Sequence, residues 1–256
     1  MNADDWGRDR ETTQRTWECI RRGAVSSVSA MIFMKDSERA ASVARESGID
    51  VGLHLNFTTS FSSENCPASL LEHQQKIAAF LLRRPISRMV FHPGLVRSFE
   101  YVVSAQREEF ARLYGAEAER FDGHHHMHLC ANVLLGKLLP TGTRVRRHFA
   151  YESREKAVRN YVFRKFTDAV LVQRHRVVDY FFSLPPLAPP GRLQGILALA
   201  RHSLVELETH PVNPEEYRFL AHGEIFRLCG ELTATSVFDY GVESRHRSVG
   251  VFGPQA

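Results

Sequence analysis

Residues 25–57 read VSSVSAMIFMKDSERAASVARESGIDVGLHLNF and contain a strand, a helix and a second strand in succession. The segment Val25–Phe33 is β-branched, Ser-rich and apolar, which predicts a buried strand. Asp36 or Ser37 can cap a helix that ends at Gly48. Ile49–Phe57 predicts the next strand. This succession is typical of a parallel sheet with helical crossovers.

The same alternation continues in both directions along the chain. Further elements are predicted as helices over Arg10–Arg22, Ala68–Arg83, Leu95–Tyr114, Ala131–Leu139, Glu155–Gln173 and Pro214–Leu232, and as strands over Arg120–His125, Thr143–Arg147, Val177–Ser183 and Leu204–Thr209. The pattern predicts an α/β fold on a parallel sheet, either a barrel or an open sheet. The Pro-rich segment Leu184–Gly191 is short enough to be a loop. We therefore expect one domain over residues 1–238 and an irregular tail over 239–256.

The composition is that of an ordinary globular protein. With 256 residues, 43% of them hydrophobic, the chain can bury a large core without disulfides or metals as staples. Its formal net charge of +4 is mild, so a solvated basic face accounts for it and no nucleic-acid partner is expected. The four cysteines form no CxxC pair, which excludes a zinc ribbon. No signal peptide or membrane span is visible, and we expect a cytoplasmic protein with reduced thiols.

Acidic and histidine side chains lie at the ends of four predicted strands. The four segments are Asp4-Asp5, Gly52-Leu53-His54-Leu55, Asp122-Gly123-His124-His125-His126-Met127-His128 and Glu208-Thr209-His210-Pro211. Active sites of parallel α/β folds form at the carboxyl ends of the strands. Four such ends with Asp or His are more informative than any one of them.

Each of these segments also has a structural interpretation. A histidine-rich run can be a surface turn, although in an extended chain His124, His126 and His128 would share one face. An isolated Asp-Asp pair is most often a helix N-cap, and in a regular strand Asp4 and Asp5 would point in different directions. A lone histidine in an apolar strand, such as His54, is usually a core residue. His210 could equally be a turn histidine before a proline.

The four segments together resemble the YdjC-type carbohydrate deacetylases, a family that includes the chitooligosaccharide deacetylases and the hopanoid-biosynthesis-associated proteins. The resemblance lies in Asn2-Ala3-Asp4-Asp5-Trp6-Gly7, Val51-Gly52-Leu53-His54-Leu55, the run from Asp122 to His128, and Glu206-Leu207-Glu208-Thr209-His210-Pro211. The motifs occur in the order of the family and extend from Asn2 to about Leu232. The resemblance implies a TIM-barrel-like (β/α) fold and removal of an acetyl group from an N-acetylated sugar.

The resemblance also implies roles for single residues. Asp5, His54 and His124 match the family's ligands of one divalent metal ion, Mg²⁺ or Zn²⁺. Asp4 matches its catalytic base. His210 matches the histidine of the His-Pro motif and is the candidate that protonates the departing amine, because its ordinary pKa is near neutrality.

A second group of residues is expected to bind the substrate. Arg144 and Arg147 fall where the family carries arginine in the following strand, and His126 and His128 belong to the same histidine run as His124. The expected partner is a small N-acetylated sugar, and the expected assembly is a monomer or a homodimer.

The first strand departs from the family pattern. The family has several apolar residues before the Asn-Ala-Asp-Asp motif, whereas only Met1 precedes it here. Either the first strand is truncated or the start of the chain is misassigned, and a truncated strand would leave a barrel with exposed sheet edges and a weaker hold on Asp4 and Asp5.

Two other functions remain open at this stage. A metal-dependent phosphoesterase could use the same histidines, with arginines for the phosphate, but would need more acidic ligands for two metals. A non-catalytic sugar-binding or nucleic-acid-binding remnant of the barrel is the alternative outside enzymes, although no nucleic-acid module is recognisable.

Overall fold

A computed structural model of the chain describes residues 1–150 and 158–229. In these residues, seven strands alternate with nine α-helices. The strands are β1 (Asn2–Trp6), β2 (Ser27–Ala30), β3 (Asp50–Leu55), β4 (Arg120–Gly123), β5 (Arg144–Val145), β6 (Tyr180–Ser183) and β7 (Val205–Thr209). The helices are α1 (Arg10–Arg21), α2 (Ser37–Ser47), α3 (Ala68–Leu81), α4 (Val96–Tyr114), α5 (Ala131–Leu135), α6 (Val158–Val172), α7 (Pro190–Leu199), α8 (Pro214–Ala221) and α9 (Glu224–Cys229).

The strands form one parallel sheet in the order β5-β4-β3-β2-β1-β7-β6. The sheet curls, because a further parallel bridge joins Arg144 of β5 to Arg176 in the segment that leads into β6. The amide of Val145 donates to the Arg176 carbonyl at 2.9 Å. The two ends of the sheet therefore meet. Of the barrel and the open sheet that the alternation of elements allowed, the structure shows the barrel-like α/β architecture, which the family resemblance also implied. The strand β1 has five residues and lies in the middle of the sheet. Asn2 and Ala3 pair with both β2 and β7, so the exposed sheet edges expected from a truncated first strand are not found at these residues.

Local signals position the helices around this sheet. The Asp9 carboxylate accepts a hydrogen bond from the Thr12 amide at 2.8 Å and caps the start of α1. The helices α2 and α4 end at Gly48 and Gly115, whose φ angles of 69° and 75° lie in the left-handed region that glycine adopts at lowest cost. Each of these helices thus returns the chain to the start of the next strand.

The barrel interior is polar, and the layer between sheet and helices is apolar. Alternate strand positions point to opposite faces of a sheet. The inward set is buried and linked by hydrogen bonds and ion pairs; it comprises Asn2, Asp4, Ser27, Ser29, His54, Arg120, Asp122, Arg146, Glu206 and Glu208. The intervening residues join the hydrophobic core, for example Ala3, Val28, Leu53 and Phe121. The polar network therefore lies inside the barrel, and the hydrophobic core lies between the sheet and the helices.

Several predicted elements are shorter than expected. The strand predicted over Val25–Phe33 is confined to Ser27–Ala30. The helix predicted over Ala131–Leu139 ends at Leu135, because Gly136 follows and Lys137 has a φ of 55°. The helix predicted from Pro214 divides into α8 and α9 at Gly223, whose φ is 76°.

Some predictions concern residues outside the described ones. They are the first residues of the Glu155–Gln173 helix, the end of the Pro214–Leu232 helix, the domain boundary at residue 238 and the irregular tail over 239–256. Over the ranges 1–150 and 158–229, no helix combines the length and the apolar character that crossing a bilayer requires.

Gly52 provides a test of the packed polar interior. A Cβ at this inward position of β3 would lie 2.8 Å from Cζ of Arg120. The Arg120 guanidinium cannot yield easily, because it donates to the Val28 carbonyl at 2.8 Å and to Oδ1 of Asn2 at 2.9 Å. We expect Gly52→Ala to lower the free energy of unfolding by about 1 to 3 kcal/mol, measured by urea denaturation.

Gly195→Ala is the matched control for this substitution. Gly195 lies inside α7, and a Cβ added there would meet no atom of the described residues within 4 Å beyond its own helix backbone. Alanine at this position should therefore leave stability unchanged or raise it by roughly 0.5 to 1 kcal/mol. Equal stabilities of the two variants would contradict the close packing of Arg120 against β3.

Candidate active site

Three side chains that are distant in sequence meet at the carboxyl ends of β1, β3 and β4. Nδ1 of His124 lies 2.9 Å from Oδ1 of Asp5, and Nε2 of His54 lies 3.4 Å from the same oxygen. All three potential ligand atoms are within 4.8 Å of one another, and all three residues are buried. The structure thus brings together the three residues that the sequence suggested as metal ligands.

The backbone at Asp5 departs from a regular strand. The register of β1 against β2 shifts between Ala3 and Trp6, and φ of Asp5 is 64°. This left-handed conformation is uncommon for a residue other than glycine and costs on the order of 1 to 3 kcal/mol. The irregularity brings Asp5 to the side of Asp4, which faces the barrel interior and has its Oδ2 3.9 Å from Nε2 of His54. The divergence of Asp4 and Asp5 expected for a regular strand is therefore not found, because β1 is irregular at Asp5.

Asp122 orients the imidazole of His54. Oδ1 of Asp122 lies 2.8 Å from Nδ1 of His54, and its second oxygen accepts a hydrogen bond from the Ser29 hydroxyl. When Nδ1 donates its proton to Asp122, Nε2 presents its lone pair towards Asp5. This carboxylate–histidine arrangement is the one that metal-binding histidines use to fix ring orientation and tautomer.

The electrostatics of this site favour a positive charge at its centre. Burial lowers the pKa of His54, but the negative charge of Asp4 and hydrogen bonds with Asp122 and Asp5 outweigh it and raise that pKa to about 10. Burial raises the pKa of Asp5, yet hydrogen bonds with His124 and His54 hold it well below its ordinary range. Asp5 is therefore an anion at the point where two imidazoles converge.

The histidine run forms a tight 3-10 turn over His124–Leu129 instead of an extended strand. Two consecutive residues, His125 and His126, have φ angles of 55° and 57°. The expectation that His124, His126 and His128 share an extended face is therefore wrong. His125 is exposed, and its Nδ1 lies 3.0 Å from the hydroxyl of Thr58.

His126 and His128 occupy different environments within this turn. The His126 ring is partly exposed and packs edge-on against Phe149 at a centroid distance of 4.7 Å. His128 is fully buried, and its Nε2 lies 2.9 Å from the carbonyl oxygen of Arg146. Burial lowers the pKa of His128 to about 4, so the ring is neutral at pH 7 and donates this hydrogen bond.

Arg146 is the central residue that the sequence analysis missed. Its guanidinium is buried and binds both oxygens of Asp4, at 2.6 and 2.7 Å. It also contacts Asp122 at 3.0 Å, Glu206 at 2.7 Å and Glu208 at 3.2 Å. One arginine therefore links carboxylates from β1, β4 and β7.

Arg144 and Arg147, the two arginines proposed from the sequence, lie elsewhere. Arg144 pairs in register with Arg120 at the start of β4, at the amino ends of the strands. Arg147 donates to Asp168 at 2.6 Å and to the carbonyl oxygens of Val178 and Asp179. The arginine of this segment that contacts Asp4 is Arg146, so a substrate role for Arg144 and Arg147 stays a prediction.

His210 joins a second cluster beside the first. A ring nitrogen of His210 and carboxyl oxygens of Asp4 and Glu208 lie within 4.8 Å of one another. The backbone amide of His210 donates to Glu216 at 2.9 Å, and the Thr209 hydroxyl donates to the same oxygen at 2.8 Å. The proposed base, Asp4, and the proposed acid, His210, therefore lie within 4.8 Å of each other.

A signal for the missed residues is present in the sequence. Polar residues recur at every second position in Asn2/Asp4, Ser27/Ser29, Arg120/Asp122, Arg144/Arg146 and Glu206/Glu208. Period-two polarity in strands that are expected to be buried on both faces indicates a polar barrel interior. This alternation predicts that Arg146, and not Arg147, faces the barrel interior.

The donor set and its charge fit a divalent cation. Five buried carboxyl groups surround the site, those of Asp4, Asp5, Asp122, Glu206 and Glu208. In the part of the chain that the structure describes, the guanidinium groups of Arg8, Arg120 and Arg146 contact them. With His54 neutral and Glu208 protonated, because burial and the charge of Asp4 raise the pKa of Glu208, the other four carboxylates exceed the three guanidinium groups by one negative charge. One carboxylate with two imidazoles is a donor set that binds Zn²⁺ or Mg²⁺.

Comparison with known proteins identifies a family profile and several relatives that are named as carbohydrate deacetylases. The sequence profile described as YdjC-like protein matches residues 1–227. The chitooligosaccharide deacetylase of Proteus mirabilis is 28% identical over 134 residues, which are 52% of this chain and 51% of that protein. The carbohydrate deacetylase of Danio rerio is 27% identical over 136 residues, which are 52% of this chain and 42% of that protein. The chain thus matches about half the length of these curated relatives.

A solved structure shares the fold. A crystal structure from Enterococcus faecalis, of a protein described as a candidate for cellobiose-phosphate cleavage, superposes with a TM-score of 0.59. The match covers 91% of this chain and 95% of that one at 19% sequence identity, which supports the fold alone.

Asp122→Asn tests the orientation of His54. The amide removes the negative charge at Nδ1 and can present a donor to it, so we expect the affinity for Zn²⁺ to fall by about 10- to 100-fold in a competition titration with a chromophoric chelator. Asp36→Asn is the matched control, because Asp36 is also buried but binds Arg39 beside α2. Equal zinc affinities in the two variants would argue against this role.

The buried neutral ring of His128 should make the stability of the fold sensitive to acid. Its pKa in the folded state, about 4, lies below the ordinary value of 6.5. The stability from the neutral ring is present above pH 6.5 and is lost as the pH falls towards 4. Between pH 7 and pH 4, we expect the wild type to lose about 3 kcal/mol of unfolding free energy more than His128→Gln does. Parallel pH dependence of the two proteins in urea denaturation would contradict this prediction.

Proposed function

Because the chain belongs to the YdjC-like family, we propose that it is a metal-dependent hydrolase that removes the acetyl group from an N-acetylated sugar. The observation that carries the proposal is the convergence of Asp5, His54 and His124 within 4.8 Å, with Asp4 beside them. The names of the Proteus mirabilis and Danio rerio relatives support an acetylated carbohydrate, such as a chitooligosaccharide, as the substrate, and a glycolipid-linked N-acetylated sugar is a second candidate.

Asp5, His54 and His124 are the proposed ligands of a single divalent cation. Three protein ligands leave coordination positions for the reactants, as a catalytic site requires. When bound there, the cation would supply the Lewis acidity that hydrolysis of an unactivated amide needs. Nitrogen and carboxylate donors suit Zn²⁺ and also accept Mg²⁺.

Asp4 is the proposed general base. Arg146 binds both of its carboxylate oxygens, and the Asn2 amide donates to Oδ1 at 2.8 Å. These contacts fix the carboxylate beside the Nε2 side of His54. In this position Asp4 can take a proton from a water molecule that attacks the acetamide carbonyl carbon.

His210 is the proposed group that protonates the amine when the carbon–nitrogen bond breaks. It is half-buried and lies beside Asp4 and Glu208. Protonation makes the nitrogen a competent leaving group, and the products are acetate and a free amino sugar. His126, which is partly exposed beside Phe149, is proposed to contact the sugar ring of the substrate.

The decisive experiment compares the release of acetate and of phosphate, together with metal content. We expect the purified protein to contain or bind one divalent cation and to release acetate from N-acetylglucosamine oligomers. Release of phosphate from sugar phosphates without any release of acetate would favour a phosphoesterase. Binding of sugars or DNA without turnover would favour the non-catalytic remnant.

His124→Ala should abolish the bound metal and turnover together. Loss of one of three ligands removes both cation affinity and Lewis acidity, so we expect acetate release to fall on the order of 10³-fold or more. The measurements are metal analysis by mass spectrometry and acetate release at saturating metal. His125→Ala is the control, because the neighbouring ring is exposed and contacts Thr58. Full activity of His124→Ala after metal removal would refute the scheme.

A further inference from the structure

Glu208 lies in the wall of the barrel next to the proposed base. It is the penultimate residue of β7, and 4% of its surface is exposed. Its Oε2 lies 3.2 Å from Arg146 and 3.7 Å from Nε2 of His126. A carboxyl oxygen of Glu208 is also within 4.8 Å of a ring nitrogen of His210. The roles proposed for the metal ligands, for Asp4 and for His210 do not involve this carboxyl group.

The distances from Arg146 show which carboxyl group has its negative charge least balanced by the guanidinium. Nη1 of Arg146 lies 2.6 Å from Asp4 but 3.2 Å from Glu208, and Nε of Arg146 lies 2.7 Å from Glu206. Asp122 receives additional donors from Ser29 and His54. The guanidinium groups of Arg146 and Arg120, the latter 3.5 Å from Asp122, cannot neutralise four carboxylates. The carboxyl group with the longest contact to Arg146 is therefore the one best placed to hold a proton, and that group is Glu208.

The electrostatic environment agrees with this assignment. Burial, followed by the negative charge of Asp4, raises the pKa of Glu208 to about 9, and Glu206 raises it further. The positive charges of Arg146 and His54 act in the opposite direction without cancelling the effect. Two neighbouring carboxyl groups with divided roles, one ionised and one protonated, are the arrangement that acid–base catalysis uses.

We propose that Glu208 stores the proton that the departing amine receives, and that His210 passes this proton from Glu208 to the leaving nitrogen. The inference rests on the proposed deacetylase function. A separation of up to 4.8 Å between the two groups can be spanned by one bridging water molecule. His210, which is half-buried, then delivers the proton, whereas Glu208 stays inside the barrel wall.

The proton balance of the reaction closes with these residues. Asp4 takes one proton from the attacking water as the new carbon–oxygen bond forms. The carbon–nitrogen bond breaks as the nitrogen takes a proton from His210, which is replenished from Glu208. Acetic acid leaves and ionises in solvent. The proton on Asp4 then returns to the Glu208 carboxylate, which restores both groups.

The test compares Glu208→Gln with Glu206→Gln on two substrates. Glu206 is a matched control, because it lies two residues earlier on the same face of β7 and binds the same arginine. The substrates are N-acetylglucosamine oligomers, whose amine needs a proton to depart, and 4-nitrophenyl acetate, whose phenolate does not. Ester turnover that persists in His124→Ala is background and is subtracted.

We expect Glu208→Gln to lower kcat for the amide about 100-fold and to leave ester turnover within a few-fold of the wild type. Glu206→Gln should lower amide turnover by less than about tenfold. His210→Gln should reproduce the pattern of Glu208→Gln. The double variant should be no slower than the slower single variant, because both residues serve one proton-transfer path.

Three results would overturn the inference. They are equal amide turnover in the Glu208→Gln and Glu206→Gln variants, equal loss of amide and ester turnover in Glu208→Gln, and additive losses in the double variant with His210→Gln. Metal content and melting temperature identify a variant that has lost the site or the fold, and Glu208→Asp then replaces Glu208→Gln, with partial amide activity expected. Failure of the wild type to release acetate from the oligomers would instead refute the proposed function.

Discussion

The buried guanidinium of Arg146 is the interaction on which the site depends. It binds both oxygens of Asp4 in β1 and contacts Asp122 in β4 and Glu206 and Glu208 in β7, so its partners come from three strands. Burying a charge is costly unless it is paired and hydrogen-bonded. Arg146 and these carboxylates therefore require one another, and their mutual pairing fixes the relative positions of β1, β4 and β7 at the carboxyl end of the barrel.

The acidic excess around Arg146 explains why the site can accept a cation. Asp5 stands outside the group that Arg146 contacts and faces two imidazoles, and Arg8 binds its other oxygen. Both carboxylates face Nε2 of His54, but Asp4 is bound by Arg146 whereas Asp5 faces the imidazoles. The same geometry that holds Asp4 as a base thus leaves Asp5 available as a ligand.

Backbone irregularities concentrate at this end of the barrel. The left-handed φ of Asp5 turns its carboxylate into the site, and the left-handed pair His125 and His126 ends β4 in a tight turn. Such conformations persist only where surrounding contacts compensate their cost. Around Asp5 these contacts are the hydrogen bonds to Arg8 and His124, and beneath the turn the buried His128 binds the carbonyl of Arg146. The hydrogen bonds of the polar network therefore compensate the strained backbone conformations at this end of the barrel.

The sequence determined the alternation of strands and helices and the acidic and histidine side chains at four strand ends, because periodicity and strand ends are local properties of the chain. The barrel and the grouping of Asp5, His54 and His124 were implied by the resemblance of the motifs to a known family. The tertiary structure decided the direction of the side chains. The bulge in β1 turns Asp4 and Asp5 to the same side, and the strand face selects Arg146 over Arg147. Period-two polarity in the sequence indicated an inward face, but not which charges would meet. That outcome depends on strand register and sheet curvature, which bring residues more than one hundred positions apart within hydrogen-bonding distance.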